Sequence, residues 1–290
     1  MIKTSRQLKD KIKNLSHGDS TKAQILTRKY MMERFLARVA ASGYRDQFIL
    51  KGGMLVSAIV GEEARSTMDI DATVRSLPLS EDYIKSVIAN IVSLDLSDNL
   101  SFRIEDAKSI MEEHDYSGIR ITMKVLLENL RETITVDIST GDAITPSAVQ
   151  FSYPMMFEQG DINVWSYNLE TLLAEKIETI LARSTANTRM RDFYDIHILW
   201  NYENDYINTN ILREAFSATT QKRHTDHLIN DAKQILDDIE NSTYMKSMWE
   251  NYRKSNTYVG ALEWEEALES MKSIVLDEIA LAEGFELTMV

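Results

Sequence analysis

The sequence predicts an α/β protein of the α+β kind, with a mixed sheet core followed by a carboxy-terminal helical lobe. Three observations predict it. Apolar and polar residues alternate over 68–74, 119–125 and 133–138, the period of half-buried strands. Helical signals precede and interrupt these runs, at 20–42 and from Ser80 to about Leu94. From Asn168 onward the apolar residues recur only at three- and four-residue spacing.

Each element has a local reason. Over 20–42, Ile25, Met32, Leu36 and Val39 form a helical stripe, Ser20 can cap its start, and Gly43 offers a stop. Phe48-Ile49-Leu50 reads as a buried strand, which Lys51-Gly52-Gly53 breaks before a helix begins at Met54. Met68, Ile70, Ala72 and Val74 then share one strand face, which places Asp69, Asp71 and Thr73 together on the other. Ser80 is a capping serine, and Glu81 and Asp82 suit the first turn of its helix.

The region 100–138 turns to strands. Ile119, Ile121, Met123 and Val125 alternate with Arg120, Thr122 and Lys124, and residues 128–131 separate them from 133–138 as in an antiparallel hairpin. Residues 141–167 hold Gly141, Pro146, Pro154 and Gly160 and have the poorest periodicity, so they form the candidate linker. Helices are predicted over 169–184, 191–200, 209–217, 223–240 and 261–283. The expected division is 1–165, an α/β domain with N-terminal helices, and 166–290, a helical domain.

Bulk properties exclude some functions. The chain has no cysteine, so thiol nucleophiles, thiolate metal sites and disulfides are ruled out. The basic amino terminus lacks the apolar core of a signal peptide, and nothing approaches the roughly 18 apolar residues of a membrane span. A cytoplasmic protein without membrane contact is expected. Its net charge of −13, from 32 basic and 45 acidic residues, opposes a broad nucleic-acid surface, so a nucleic-acid substrate would need a local basic patch.

The chemistry concentrates in carboxylates. Asp69 and Asp71 on one strand face repel each other unless something positive lies between them, and Mg²⁺ is commonly held by one or two carboxylates together with substrate phosphates. Asp137 lies in a strand of the same character, with Val136 and Ile138 facing the other way. Three such carboxylates could hold two metal ions about 3.5–4 Å apart. Lys51-Gly52-Gly53, at a strand-to-helix junction, suits a phosphate at a helix amino terminus, but it matches neither the phosphate-loop nor the dinucleotide signature.

Lys176 lies three residues after Leu173 and four before Ile180, on the stripe its helix buries. Either its stem snorkels to the surface or its ammonium reaches into a cleft. Asp192 and Asp195, three residues apart on one helix face, come within its reach if the two helices form a hairpin. Arg183, Arg189 and Arg191 form a nearby basic cluster for an acidic substrate. Lys222-Arg223-His224 reads as a solvated helix end, with contact to nucleic acid as the sharper alternative.

Taken in order, Leu50-Lys51-Gly52-Gly53, Arg65-Ser66-Thr67-Met68-Asp69-Ile70-Asp71, Val136-Asp137-Ile138, Ala174-Glu175-Lys176 and Arg191-Asp192-Phe193-Tyr194-Asp195-Ile196 form a set. The chain resembles the AbiEii/AbiGii-type toxins of the nucleotidyltransferase superfamily over roughly residues 45–200. The resemblance implies a nucleotidyltransferase-fold core, transfer of nucleotides from a nucleoside triphosphate with tRNA as acceptor, and growth arrest or abortive infection held in check by a cognate antitoxin. It further implies a metal pair at Asp69 and Asp71, a third carboxylate at Asp137, and a nucleotide-binding turn at Lys51, Gly52 and Gly53 with Arg65. Lys176 would bind the triphosphate, and Asp192 and Asp195 would form the last acidic motif. The turn has glycine where many superfamily members have serine.

The expected function is thus a Mg²⁺-dependent nucleotidyltransferase toxin. Two alternatives stay open: nucleotidyl or phosphoryl transfer to a protein or small molecule, and a non-catalytic module that binds a nucleotide or partner.

Overall fold

The structure is a computed structural model that describes residues 1–61, 64–111 and 117–280, with the side chains of Met111, Ser117 and Asn204 left aside. The chain divides into two compact units. The first comprises Met1–Gly141 and Val149–Ser166; the second comprises Asp142–Ala148 and Tyr167–Val290.

Unit 1 begins with α1 (Ser5–Ser16) and α2 (Ser20–Ala41). In α1, Leu8 and Ile12 are buried one turn apart, and Thr4 and Gln7 close a capping box. The cap of α2 is Asp19, one residue ahead of the expected Ser20, whose carboxylate accepts from the amides of Thr21 and Lys22. α2 buries more than an apolar stripe. Arg34 and Arg38 reach Asp98 at 2.7–2.9 Å, and all three are almost wholly buried. Burial opposes ionisation of Asp98, but the two guanidiniums outweigh it and hold the carboxyl below its ordinary range.

The strands follow as β1 (Phe48–Lys51), β2 (Ile70–Val74), β3 (Leu100–Met111), β4 (Ser117–Leu127), β5 (Leu130–Thr140), β6 (Val149–Pro154) and β7 (Asp161–Ser166). Residues 112–116, within the predicted strand region, lie outside the described residues. Helix α3 (Gly52–Val60) follows β1, and α4 (Glu81–Val92) precedes β3. Ser80 stands at the N-cap of α4 with extended backbone, but its hydroxyl makes no capping hydrogen bond.

Among the described residues the strands form one mixed sheet in the order β3-β4-β5-β2-β1-β7-β6. β2 pairs parallel with β5, and β1 parallel with β7; the remaining neighbours are antiparallel. The predicted hairpin is β4–β5, where Ile119, Ile121, Met123 and Val125 are all buried, each contributing roughly 1.5–3 kcal/mol. Phe35, Leu36 and Val39 of α2 line one apolar space with Phe48, Leu50, Ile70 and Ala72. That face of the sheet is therefore core, and alternation sends Asp71 to the other.

The expected linker 141–167 is corrected: it contains β6 and β7. β6 is an edge strand, where Pro154 at its end is tolerated because no ladder donor is needed there.

Unit 2 is helical, with α5 (Leu169–Arg183), α6 (Met190–Tyr202), α7 (Thr209–Lys222), α8 (Ala232–Asn241), α9 (Thr243–Ser255) and α10 (Trp264–Lys272), then a π-helical stretch Ser273–Ala280. Asn168 caps α5 through the amide of Thr171. The predicted 223–240 helix starts only at Ala232, and α9 lies between the predicted helices 223–240 and 261–283, in a stretch that the sequence reads as helical without bounds. Residues 281–283 of the last predicted helix lie outside the described residues. No helix among the described residues is long and apolar enough to cross a membrane.

Candidate active site

Sheet register brings the site together. Asp71 of β2 pairs in register with Lys51 of β1 on one side and Asp137 of β5 on the other. Asp137 faces Arg120 of β4, and Arg120 faces Lys108 of β3. Five charged residues thus form one transverse row across five strands, on the face opposite α2.

Asp69 is not in the strand. β2 begins at Ile70, and Asp69 lies in the bend just before it, next to Met68, which is 42% exposed rather than part of a buried face. Asp69 still joins the row, because Thr67 Oγ1 donates to its Oδ1 at 3.0 Å. One carboxylate oxygen from each of Asp69, Asp71 and Asp137 lies within 4.8 Å of the others, and all three residues are half-buried. Three negative charges so close repel strongly. An all-oxygen donor set of this kind fits Mg²⁺.

The Gly-Gly turn builds the wall behind Asp71. Gly52 holds φ at +65°, and a Cβ there would meet Asp71 Oδ2. The amide of Gly53, in the first turn of α3, donates to the same oxygen at 3.3 Å. Thr67 and the buried Arg65 crowd Gly53 in turn: an added Cβ would lie 2.8 Å from Thr67 Oγ1 and 3.2 Å from Arg65 Nη2. Arg65 also donates to the Ser66 carbonyl. In this structure the turn itself holds Asp71, a contact that the sequence pattern did not reveal, and Arg65 packs against Gly53.

Arg120 is the site residue that sequence reasoning passed over. Its Nε and Nη2 donate to the two oxygens of Asp137 at 2.7 and 2.6 Å. Its pKa is raised by that hydrogen bond and by the charges of Asp137, Asp69 and Asp71, so it lies in the field of the whole cluster. The available signal was its outward position on β4; its register with Asp137 is not readable from local pattern.

In unit 2, Lys176 neither snorkels nor stands alone. It is 9% exposed, and its Nζ lies 2.7 Å from Asp192 Oδ1 and 2.8 Å from Asp195 Oδ2. Burial would lower its pKa, but the two carboxylates more than reverse this and hold the ammonium charged. The helical hairpin of α5 and α6 expected from the sequence makes this triad. On α5 beside it, Glu175 and Glu178 bind Arg223 at 3.3 and 2.5 Å. Arg223 is therefore turned inward rather than solvated, which corrects the reading of that residue, while Lys222 and His224 are exposed at the helix end as expected. Arg191 is exposed, and Arg183 and Arg189 are half-buried.

Comparison with known proteins gives the family. The family model for the nucleotidyl transferase AbiEii toxin of type IV toxin–antitoxin systems matches residues 34–270. Among solved structures, JHP933 from Helicobacter pylori aligns with a TM-score of 0.50 at 12% identity, covering 90% of this chain and 94% of that one. A second H. pylori protein, provisionally assigned as a nucleotidyltransferase, aligns with a TM-score of 0.48 at 15% identity, covering 91% and 98%. No curated protein sequence matches. The match of the family model over most of the length, with the mixed sheet and its carboxylate cluster, establishes that the chain belongs to the AbiEii nucleotidyl transferase toxin family.

Proposed function

We propose that this chain transfers a nucleotide from a nucleoside triphosphate to an acceptor hydroxyl, with Mg²⁺ held by Asp69 and Asp71 and helped by Asp137. The observation that carries this reading is the meeting of three carboxylates, Asp71 and Asp137 in one sheet row and Asp69 in the bend just before β2, beside the amino terminus of α3. When bound, the metal would supply charge neutralisation and polarisation of the transferring phosphate.

The rest falls to positioning by the chain. Gly52 leaves room for Asp71, the Gly53 amide orients it, and the Thr67 hydroxyl orients Asp69. Lys51 and Arg65 lie at the same turn and keep the proposed part in binding the nucleotide. The role proposed for Lys176 is that of its motif, a cation for the triphosphate, with Asp192 and Asp195 keeping its ammonium charged and oriented.

tRNA is the proposed acceptor, and a separately encoded antitoxin the proposed partner. Membership of a type IV toxin–antitoxin family supports growth arrest as the outcome. Expression of the wild type should arrest growth, and tRNA from arrested cells should gain mass in nucleotide increments. Arrest by Asp69→Ala equal to that of wild type would refute the reading. Nucleotide mass appearing on a protein or small molecule instead would replace the acceptor.

A further inference from the structure

The bidentate pair between Arg120 and Asp137 sits oddly beside a metal site. Both oxygens of Asp137 accept from one guanidinium; the Thr67 hydroxyl donates to Asp69 and the Gly53 amide to Asp71. An arginine fork offsets most of the charge that a third carboxylate would offer a cation. Arg120 is nevertheless not locked away. Its side chain is 45% exposed, and the field that raises its pKa comes from all three carboxylates.

Resting on the nucleotidyl-transfer reading above, we propose that Arg120 is a positioning residue that competes with the divalent metal for Asp137. Loading the site moves Asp137 from the guanidinium to the metal, and the freed fork takes a phosphate of the incoming nucleotide. A planar guanidinium matches a phosphate bidentately as well as it matches a carboxylate, so the exchange replaces one anion with another and leaves no unpaired charge. The register supports this, because Arg120 is the next member of the row beyond Asp137, one strand further from Asp71.

The test uses Mn²⁺ as the metal probe, with binding measured by calorimetry without nucleotide on the full chain. Arg120→Gln should bind Mn²⁺ roughly two- to fivefold more tightly than wild type, the range set by breaking a partly exposed ion pair. That gain should vanish when Asp137→Asn is added. Arg120→Lys, which keeps the charge without the fork, should fall between. With Mn²⁺ saturating, a non-hydrolysable triphosphate analogue should bind Arg120→Gln several-fold more weakly than wild type. Thermal unfolding of each variant establishes that it is folded.

Mn²⁺ binding by Arg120→Gln that is unchanged or weaker, or a gain that persists with Asp137→Asn, overturns the competition; the latter would mean that only net charge matters. Undiminished analogue binding overturns the phosphate role. If wild type and Asp69→Asn bind Mn²⁺ alike, the metal site itself fails and this inference with it. If Asp69→Asn loses binding while Arg120→Gln is unchanged, only the present proposal fails.

Discussion

Gly52 stands so close to Asp71 that a Cβ on the glycine would lie 2.1 Å from the carboxylate Oδ2 and 2.6 Å from its Cγ. The backbone there is left-handed, at φ +65°, which costs a residue with a side chain roughly 1–2 kcal/mol by itself. Gly52→Ala should therefore lose Mn²⁺ binding about as fully as Asp71→Asn, with a stability loss of at least that size. Gly53→Ala should be milder, because the atom it meets is the Thr67 hydroxyl, which can turn. Calorimetry with thermal unfolding checks both, and a Gly52→Ala protein that binds Mn²⁺ normally would contradict this account of the turn.

The Thr67 hydroxyl anchors Asp69, lying 3.0 Å from its carboxylate Oδ1 and 3.4 Å from its carbonyl oxygen. Thr67→Val should weaken Mn²⁺ binding several-fold, corresponding to about 1 kcal/mol, while Thr67→Ser should retain it. Equal binding by both variants would show that Asp69 holds its position unaided.

Lys176 neutralises two buried carboxylates, so Lys176→Met should destabilise unit 2 by roughly 3–5 kcal/mol in urea unfolding. Adding Asp192→Asn and Asp195→Asn to Lys176→Met should recover much of that loss, because no buried anion is then left alone. A folded triple variant that still lacks transfer activity separates a role for Lys176 in the reaction from its role in packing. A single Lys176→Met variant of wild-type stability would contradict the buried triad.

Glu33, on α2, is buried, and burial pushes its carboxyl up to about 7 even though the Met156 amide and Arg34 favour the charged form. The native state thus holds this proton more tightly than the unfolded chain, whose glutamate titrates near 4.3. The stabilisation is fully present below that value and is lost as pH rises towards 7, by a few kcal/mol at most. Glu33→Gln should flatten this slope and raise the unfolding midpoint at pH 8. A stability profile between pH 5 and 8 identical in the two proteins would contradict it.

What the sequence disclosed follows from the range of its signals. Period-two alternation is local, so the outward direction of Asp71, Asp137 and Arg120 was readable. The parallel pairing of β2 with β5 bridges more than fifty residues of chain, and no local pattern encodes it, so the row that joins Lys51, Asp71, Asp137, Arg120 and Lys108 became visible only in the sheet. The reach of Lys176 to Asp192 and Asp195 was legible because helical spacing and a short hairpin fix it. Arg34 and Arg38 were not, because buried charges look like surface charges until their partner, Asp98, is found some sixty residues away. β6 and β7 were hidden by Pro154 and Gly160, which end strands as readily as they mark linkers.

The most direct test of the central claim is transfer of label from each nucleoside triphosphate to total tRNA in Mg²⁺, comparing wild type with Asp69→Asn and Asp71→Asn variants shown to be equally folded. The account predicts label on tRNA with wild type and its loss, by at least about a hundredfold, in both variants and in excess chelator, the scale expected when a transition-state contact is removed. Undiminished transfer by either variant, or no transfer by wild type with any nucleotide, would contradict it.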